Sequence, residues 1–533
     1  MKPTPLACTS NTAVGFALAA LGLSTVLGCG SPGEPASTVG EAGPSGHDSG
    51  VKPKGDAAGP DAGAKPHDDA GAKAEASATP PSTGPNFPRL GSLLISTDSS
   101  AANAGYDSGY AEWASKIHVN VMGANWAGAG ASLLGGSREA LVRAIHSGST
   151  IGSRVFEYYN TDENETYWPM SSVSGWLLYQ HGTSGPCAPN SYFDSATVCN
   201  TNQTLYTPAD AMGLHLEGEY AEALVATLLT GATSDAAPSL DGTFHDNTIL
   251  TPTVAGDYSR DGTEEAAGDA TAGQWIRDGL AEGYTELQKT TKWVTIGNLG
   301  GWGIPNAVGG GMDATGLVGV VQGGIIEGVF GDVWSAETWS GFAAAQVHYQ
   351  FCMKNTGDPK LDIVHHSNLL ANGSDPTAFD SSGAPSAYGP PYQALRYGLA
   401  FTLMDDGYYA TTQNEDYVDT QRNWFDEFAV DPKTGVALSF PDVDAGLGYL
   451  GQPTDPAWPA AMANGVYERH FANPAAASKW LVLLNPKGNG AQTVSLGASM
   501  QKLTGTEDPA VNDGSTVTEV TLQDRDGLIL KVE

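Results

Sequence analysis

From about residue 90 to residue 405, apolar runs of strand length alternate with longer stretches of helical period, and this alternation predicts βα units. The strand-length runs are Leu90–Thr97, Lys116–Gly123, Ile151–Asn160, Ser239–Asn247, Lys292–Leu299, Gly323–Phe330, Leu361–Asn368 and Tyr397–Met404. Between the second and third, Ser137 is placed to cap a helix whose Leu141, Val142 and Ile145 share a face. Before the fourth, Thr207-Pro208 reads as a cap and first helical position, with an apolar stripe at Leu224, Val225, Leu228 and Leu229. Before the fifth, Trp275, Ile276, Leu280, Tyr284 and Leu287 recur at helical spacing. Eight strands with intervening helices predict an α/β fold, a (β/α)8 TIM barrel. The alternative is an open doubly wound sheet, but no Gly-x-Gly-x-x-Gly turn follows the first strand, and Gly309-Gly310-Gly311 reads as a loop. From about Gly465 the pattern becomes short alternating stretches, Trp480–Leu484, Gln492–Leu496, Val517–Leu522 and Gly527–Val532, separated by turn residues. These predict a small C-terminal antiparallel β-domain.

Two of the predicted strands carry an acid among apolar residues and glycines. In Ser239–Asn247, strand alternation puts Leu240, Gly242, Phe244 and Asp246 on one face and Asp241, Thr243 and His245 on the other, with Asp246 at the exit. Glu327 is embedded similarly in Gly323–Phe330. A single such acid is usually a loop or cap ligand. Two of them at the strand ends of one barrel point to paired-carboxylate chemistry, and glycoside hydrolysis is the expected reaction. Barrel sites form at the carboxyl ends of the strands. Reading those ends adds Trp126, Glu157, Asn247, Asn298, His365, Asn368 and Asp405 as expected substrate-binding residues, with Asp246 and Glu327 catalytic. Ile325, Ile326 and Val329 beside Glu327 favour its protonated form by desolvation, as a general acid requires. No His-x-His stands on an early strand, so no metal and no cofactor is predicted. Asp257-Tyr258-Ser259-Arg260-Asp261-Gly262 resembles half of a calcium loop, but Gly268 stands where a bidentate Glu is needed. The long segment from Thr161 to Tyr206 carries Tyr167, Trp168, Trp176, Tyr179, Tyr192 and Phe193. Those aromatics either face sugar rings or fill the loop's own core.

The amino-terminal end changes the picture. Lys2 precedes an apolar run, Ala13 to Leu27, ending in Val26-Leu27-Gly28-Cys29, which resembles a bacterial lipoprotein signal with its lipid-accepting cysteine. The run is too short to span a membrane comfortably. With Gly30 after the cysteine, known sorting rules imply the outer membrane or cell surface, anchored through Cys29. The Gly-, Pro-, Ala- and Ser-rich stretch that follows cannot bury enough surface to order itself, so it reads as a tether. The expected organisation is a signal over 1–28, a tether over 29–85, a barrel over 86–460 and a β-domain over 461–533. The chain carries 59 acidic side chains against 25 Lys and Arg, which rules against nucleic acid as a partner, since a nucleic-acid backbone needs an extended basic footprint. No protein partner is predicted either. In an exported chain Cys187 and Cys199 would close a disulfide, leaving Cys352 as a buried small hydrophobe.

Three segments carry a resemblance. They are Leu240-Asp241-Gly242-Thr243-Phe244-His245-Asp246-Asn247, Ile325-Ile326-Glu327-Gly328, and the tail with Gly465-Val466-Tyr467-Glu468-Arg469, Leu481-Val482-Leu483-Leu484-Asn485-Pro486 and Asp526-Gly527-Leu528-Ile529-Leu530. They resemble the barrels grouped as hypothetical glycosyl hydrolase family 15, over about Asn86 to Glu533. Acids on strands four and six are also similar to the α-galactosidase and α-glucosidase clan of retaining enzymes. That resemblance implies Asp246 as nucleophile and Glu327 as acid/base, although the clan usually has Asp in the second role. Two function classes stay open at this stage: a surface-anchored glycoside hydrolase on an α-linked carbohydrate, and a non-catalytic carbohydrate-binding or structural lipoprotein on the same scaffold.

Overall fold

The computed structural model describes residues 84–94, 108–122, 137–160, 163–165, 175–179, 187–188, 198–218, 221, 237–246, 248, 250–300, 314–330, 337, 341–366, 391–411 and 424–533. The signal, the tether up to residue 83, Gly309–Gly311, Leu224–Leu229 and much of the aromatic-rich loop lie outside them.

Eight parallel strands follow one another around a barrel: β1 (Gly91–Leu94), β2 (Val119–Met122), β3 (Arg154–Asn160), β6 (Gly242–Asp246), β7 (Val294–Asn298), β8 (Gly323–Phe330), β9 (Leu361–His366) and β10 (Tyr408–Thr411). Between β3 and β6 lies a two-stranded antiparallel pair, β4 (Glu163–Glu165) and β5 (Val198–Asn200). The barrel closes where Leu90, just before β1, bridges Tyr409 in parallel and Tyr409 N–H donates to Arg89 O at 2.9 Å. Leu93, Val119, Val121, Phe156, Phe244, Ile296, Ile325, Ile363, Tyr408 and Ala410 form a buried cluster contributed by every barrel strand, which identifies the interior face of each. The alternate face packs on the helices. Glycine is required where strands crowd: a Cβ on Gly242 would lie 1.8 Å from Val294 O, and one on Gly324 1.7 Å from Gly297 O.

Helices α1 (Ser108–Ala114), α2 (Arg138–Gly148), α3 (Ala270–Thr290), α4 (Phe342–Asn355) and α5 (Pro391–Leu403) cover the outside. Ser137 caps α2 as expected, its hydroxyl accepting from Ala140 N–H, and Leu141, Val142 and Ile145 are buried. The expected Ile276, Leu280, Tyr284 and Leu287 stripe is the buried face of α3. Thr207-Pro208 is not a helix start. Residues 208–215 are irregular, helical residues begin at Leu216, and the Thr207 hydroxyl instead donates to Thr204 O and accepts from Leu216 N–H.

The eighth strand is also corrected. Tyr397–Met404 is not a strand; most of it is the end of α5, and the strand that closes the barrel is Tyr408–Thr411. The reason is burial on all sides. Leu395, Tyr397, Leu399, Ala400, Phe401, Leu403 and Met404 are all buried because α5 is sandwiched between the barrel wall and a second sheet, so no polar stripe betrays its helical period.

That second sheet is antiparallel, ordered β11-β12-β13-β16-β14-β15, from β11 (Gln452–Pro453) through β12 (Tyr467–Asn473), β13 (Ser478–Asn485), β14 (Gln492–Lys502) and β15 (Thr516–Leu522) to β16 (Asp526–Val532). Along β13, Trp480, Val482 and Leu484 join the core shared with α5, while Leu481 and Leu483 face a separate small core with Val494, Leu522, Leu528 and Leu530. Polar ties reinforce the docking. Buried Arg469 donates to Leu403 O at 2.9 Å, Asp405 O at 2.7 Å and Asp406 Oδ1 at 2.8 Å. Buried Glu337, between β8 and α4 in the chain, accepts from Arg525 Nε at 3.0 Å and from the Tyr397 hydroxyl. The protein is therefore a (β/α)8 barrel with a small C-terminal antiparallel β-domain docked on α5.

Candidate active site

At the carboxyl rim, Asp246 ends β6, the fourth barrel strand, and shares the interior face of Phe244. Asn298 ends β7 on the interior face of Ile296. Glu327 lies on β8, the sixth barrel strand, inside an irregularity: Ile326 pairs with Val364 and Phe330 with His366, so residues 327–329 stand against His365 alone. Such a bulge re-aims a side chain, and here it turns Glu327 toward its neighbours across the rim.

One amide joins the two acids. Asn298 Nδ2 donates to Asp246 Oδ1 at 2.8 Å and to Glu327 Oε2 at 2.6 Å. Its two hydrogens are thus each committed to a carboxylate. Gly300 N–H donates to Asn298 Oδ1 at 2.9 Å, which fixes which end of the amide faces the acids. The other Asp246 oxygen accepts from the Tyr158 hydroxyl, and the Tyr158 ring stacks on Phe244 with centroids 5.6 Å apart. Asp246, Asn298 and Glu327 are half-buried, so a substrate can reach them. Donation from one amide to two carboxyl groups at these distances holds both side chains in a fixed relative position.

The other expected residues separate into three groups. Asn298 is at the centre of the site. His365 shares the interior face of Leu361 and Ile363 opposite the Glu327 bulge; it is wholly buried, and desolvation pushes its pKa down to about 3, so it is a neutral imidazole. Trp126, Asn247 and Asn368 lie outside the described residues, as does Cys29.

Two expectations are corrected. Glu157 does not face the site: it alternates with Phe156 and Tyr158 onto the outer face of β3, is 2% exposed, and pairs with Arg138 NH1 of α2 at 3.0 Å. Asp405 sits in the turn between α5 and β10, at the amino end of the closing strand and the opposite end of the barrel from Asp246. Burial pushes its pKa up to about 6, and its backbone serves the docked sheet. Tyr158, next to Glu157 in sequence, is the residue on β3 that meets the site. Interior alternation with Phe156 is the signal that would have found it.

Around the long loop, Cys187 and Cys199 form the expected disulfide with Cα atoms 5.7 Å apart. Trp176 and Leu178 are buried there, Leu178 within the main core, while Tyr179 is half-buried. Cys352 is buried in α4, where desolvation holds its thiol protonated. In the 257–262 loop, Asp257 accepts from Asp261 N–H at 3.1 Å and Gly262 N–H at 3.0 Å, so its oxygens serve the loop's own backbone. Among the described residues no group of three His, Cys, Asp or Glu is placed to hold a metal ion.

No protein-family model matches the chain, nor does any curated protein. Among solved structures it is similar to an alpha-amylase from Lactobacillus plantarum, at 12% identity and TM-score 0.45, over 84% of this chain and 98% of that one. It is similar to Amy13B from Eubacterium rectale at 10% identity and TM-score 0.45, over 86% and 97%. The GH36 alpha-galactosidase AgaA from Geobacillus stearothermophilus aligns at 10% identity and TM-score 0.40, over 84% of this chain and 55% of the enzyme. The barrel is defined by its own strand register, independently of these likenesses.

Proposed function

We propose that this chain is a glycoside hydrolase in which Asp246 and Glu327 divide a retaining, two-carboxylate mechanism on an α-linked poly- or oligosaccharide. The observation that carries the reading is the single Asn298 amide nitrogen lying 2.8 Å from one acid and 2.6 Å from the other. The two oxygens it touches cannot be further apart than those bonds laid end to end. That ceiling falls near the about 5–5.5 Å of retaining enzymes and short of the about 6.5–9.5 Å that inverting ones need to admit a water. Asp246 would attack the anomeric carbon, forming a glycosyl ester as the C–O bond to the leaving group breaks. Glu327 would give its proton to the departing oxygen, then take one from the water that cleaves the ester. Asn298 would hold both acids in register without contributing charge, and Tyr158 would fix the oxygen of Asp246 that does not meet Asn298. The α-linkage is proposed because the acids occupy the strands that the resembled clan uses.

Purified full-length protein incubated with a panel of α- and β-linked polysaccharides should release reducing ends from at least one α-linked member. Binding without release across the panel would favour the non-catalytic reading instead. Surface anchoring is proposed on the Val26-Leu27-Gly28-Cys29 box. In a bacterial host, Cys29→Ser should move the protein from the membrane to the soluble fraction; unchanged fractionation would refute lipidation there.

A further inference from the structure

At the amino end of the barrel, opposite the carboxylate pair, lies a cavity of about 640 Å³ lined by His146, Ser149, Arg154, Asp241, Lys292 and Trp293, among others. These residues come from the end of α2, the start of β3 and the approaches to β6 and β7. Barrel chemistry belongs to the other rim, so a cavity here is a binding site rather than a second catalytic centre. We propose that it binds a small dianionic oxyanion, a phosphate or sulfate group.

Several buried basic side chains in this protein are matched by carboxylates. Arg138 pairs with Glu157, Lys116 with Asp444, Arg396 with Asp526, Arg469 with Asp406 and Arg525 with Glu337. Arg154 and Lys292 have no hydrogen bond or ion pair from their side chains to another described residue, and both line the same cavity. Arg154 alternates with Phe156 and Tyr158, so it points to the barrel floor, where its charge acts on the Tyr408 hydroxyl.

The carboxylate in the lining, Asp241, is already committed. Its Oδ2 accepts from Val155 N–H at 2.8 Å and lies 2.9 Å from His146 Nε2, which that contact holds toward its charged form. Asp241 and His146 therefore offset one another, with Glu139 adding a weaker pull on His146. Among the described residues, Arg154 and Lys292 remain uncompensated. A half-buried guanidinium without a partner is costly, and its planar fork matches an oxyanion bidentately, while the ammonium supplies the second charge a dianion calls for. The volume exceeds what the anion fills, leaving room for a small polar body attached to it.

The test is calorimetric titration of the full-length protein with inorganic phosphate at low ionic strength. Saturable binding is expected, weakened at least tenfold in Arg154→Gln and severalfold in Lys292→Gln, weakened also by added sodium chloride, and unchanged in Asp246→Asn at the other rim. Lys292 is exposed, so its substitution keeps the test valid should Arg154→Gln fold poorly. No saturable binding by the unsubstituted protein, or binding by Lys292→Gln and folded Arg154→Gln as tight as its own, overturns the proposal.

Discussion

Asp246→Asn is expected to abolish turnover on natural and activated substrates alike, whereas Glu327→Gln slows turnover in a way that depends on the leaving group. An amide cannot form the glycosyl ester, so no substrate rescues the first variant. Loss of the acid costs about 10²–10⁴-fold when the leaving group needs a proton. An activated aryl glycoside needs almost none, so Glu327→Gln should form the ester readily and then stall, because no base activates water. Azide, which needs no base, should restore turnover and give a glycosyl azide of retained configuration. Both substitutions preserve shape at half-buried positions, and the new side-chain oxygens can still accept from Asn298, so the fold should persist. Full activity in either variant removes that residue from the mechanism. A product of inverted configuration would make Asp246 a general base.

Glu157→Gln is expected to destabilise the protein by about 3–5 kcal/mol, the usual cost of leaving one member of a buried ion pair uncompensated. Both partners are almost out of solvent, with Arg138 at 7% and Glu157 at 2% exposure, and the guanidinium lies 3.0 Å and 3.3 Å from the two carboxylate oxygens. The substitution keeps the shape but leaves the Arg138 charge buried without its counter-charge. Urea unfolding measures the loss, and KM for whichever carbohydrate is hydrolysed should stay where it was. A raised KM with unchanged stability would return Glu157 to the substrate and contradict the outward face assigned to it.

These two adjacent-looking acids show how far a linear reading carries. Each of the first seven predicted runs contains a barrel strand, because a strand buried on both faces is a short apolar run bounded by turn residues and needs no tertiary knowledge to be seen. Asp246 was legible for the same reason: alternation from Phe244 leaves it on the interior face at the strand exit. Glu157 failed on that very rule, since it occupies a strand end but the wrong parity, and Tyr158 beside it has the right one. Asp405 failed because the run before it is a helix. Once Tyr397–Met404 is helical, the acid that seemed to end a strand instead precedes one, and the barrel's polarity places it at the far rim.

The sequence by itself determined the class of the fold, the positions of seven strands, the Cys187–Cys199 closure and the placement of Asp246 and Glu327 on the fourth and sixth strands, all of which follow from local periodicity, chain length and residue chemistry. The tertiary structure decided which strand closes the barrel, that one Asn298 amide spans both acids, and that the irregularity at residues 327–329 aims Glu327 at it. It also decided that Arg154 and Lys292, far apart in sequence, line one cavity. None of these could be read along the chain, because each depends on which neighbour lies across a sheet or behind a helix. That choice is made by packing between distant segments, to which periodicity within a segment is blind.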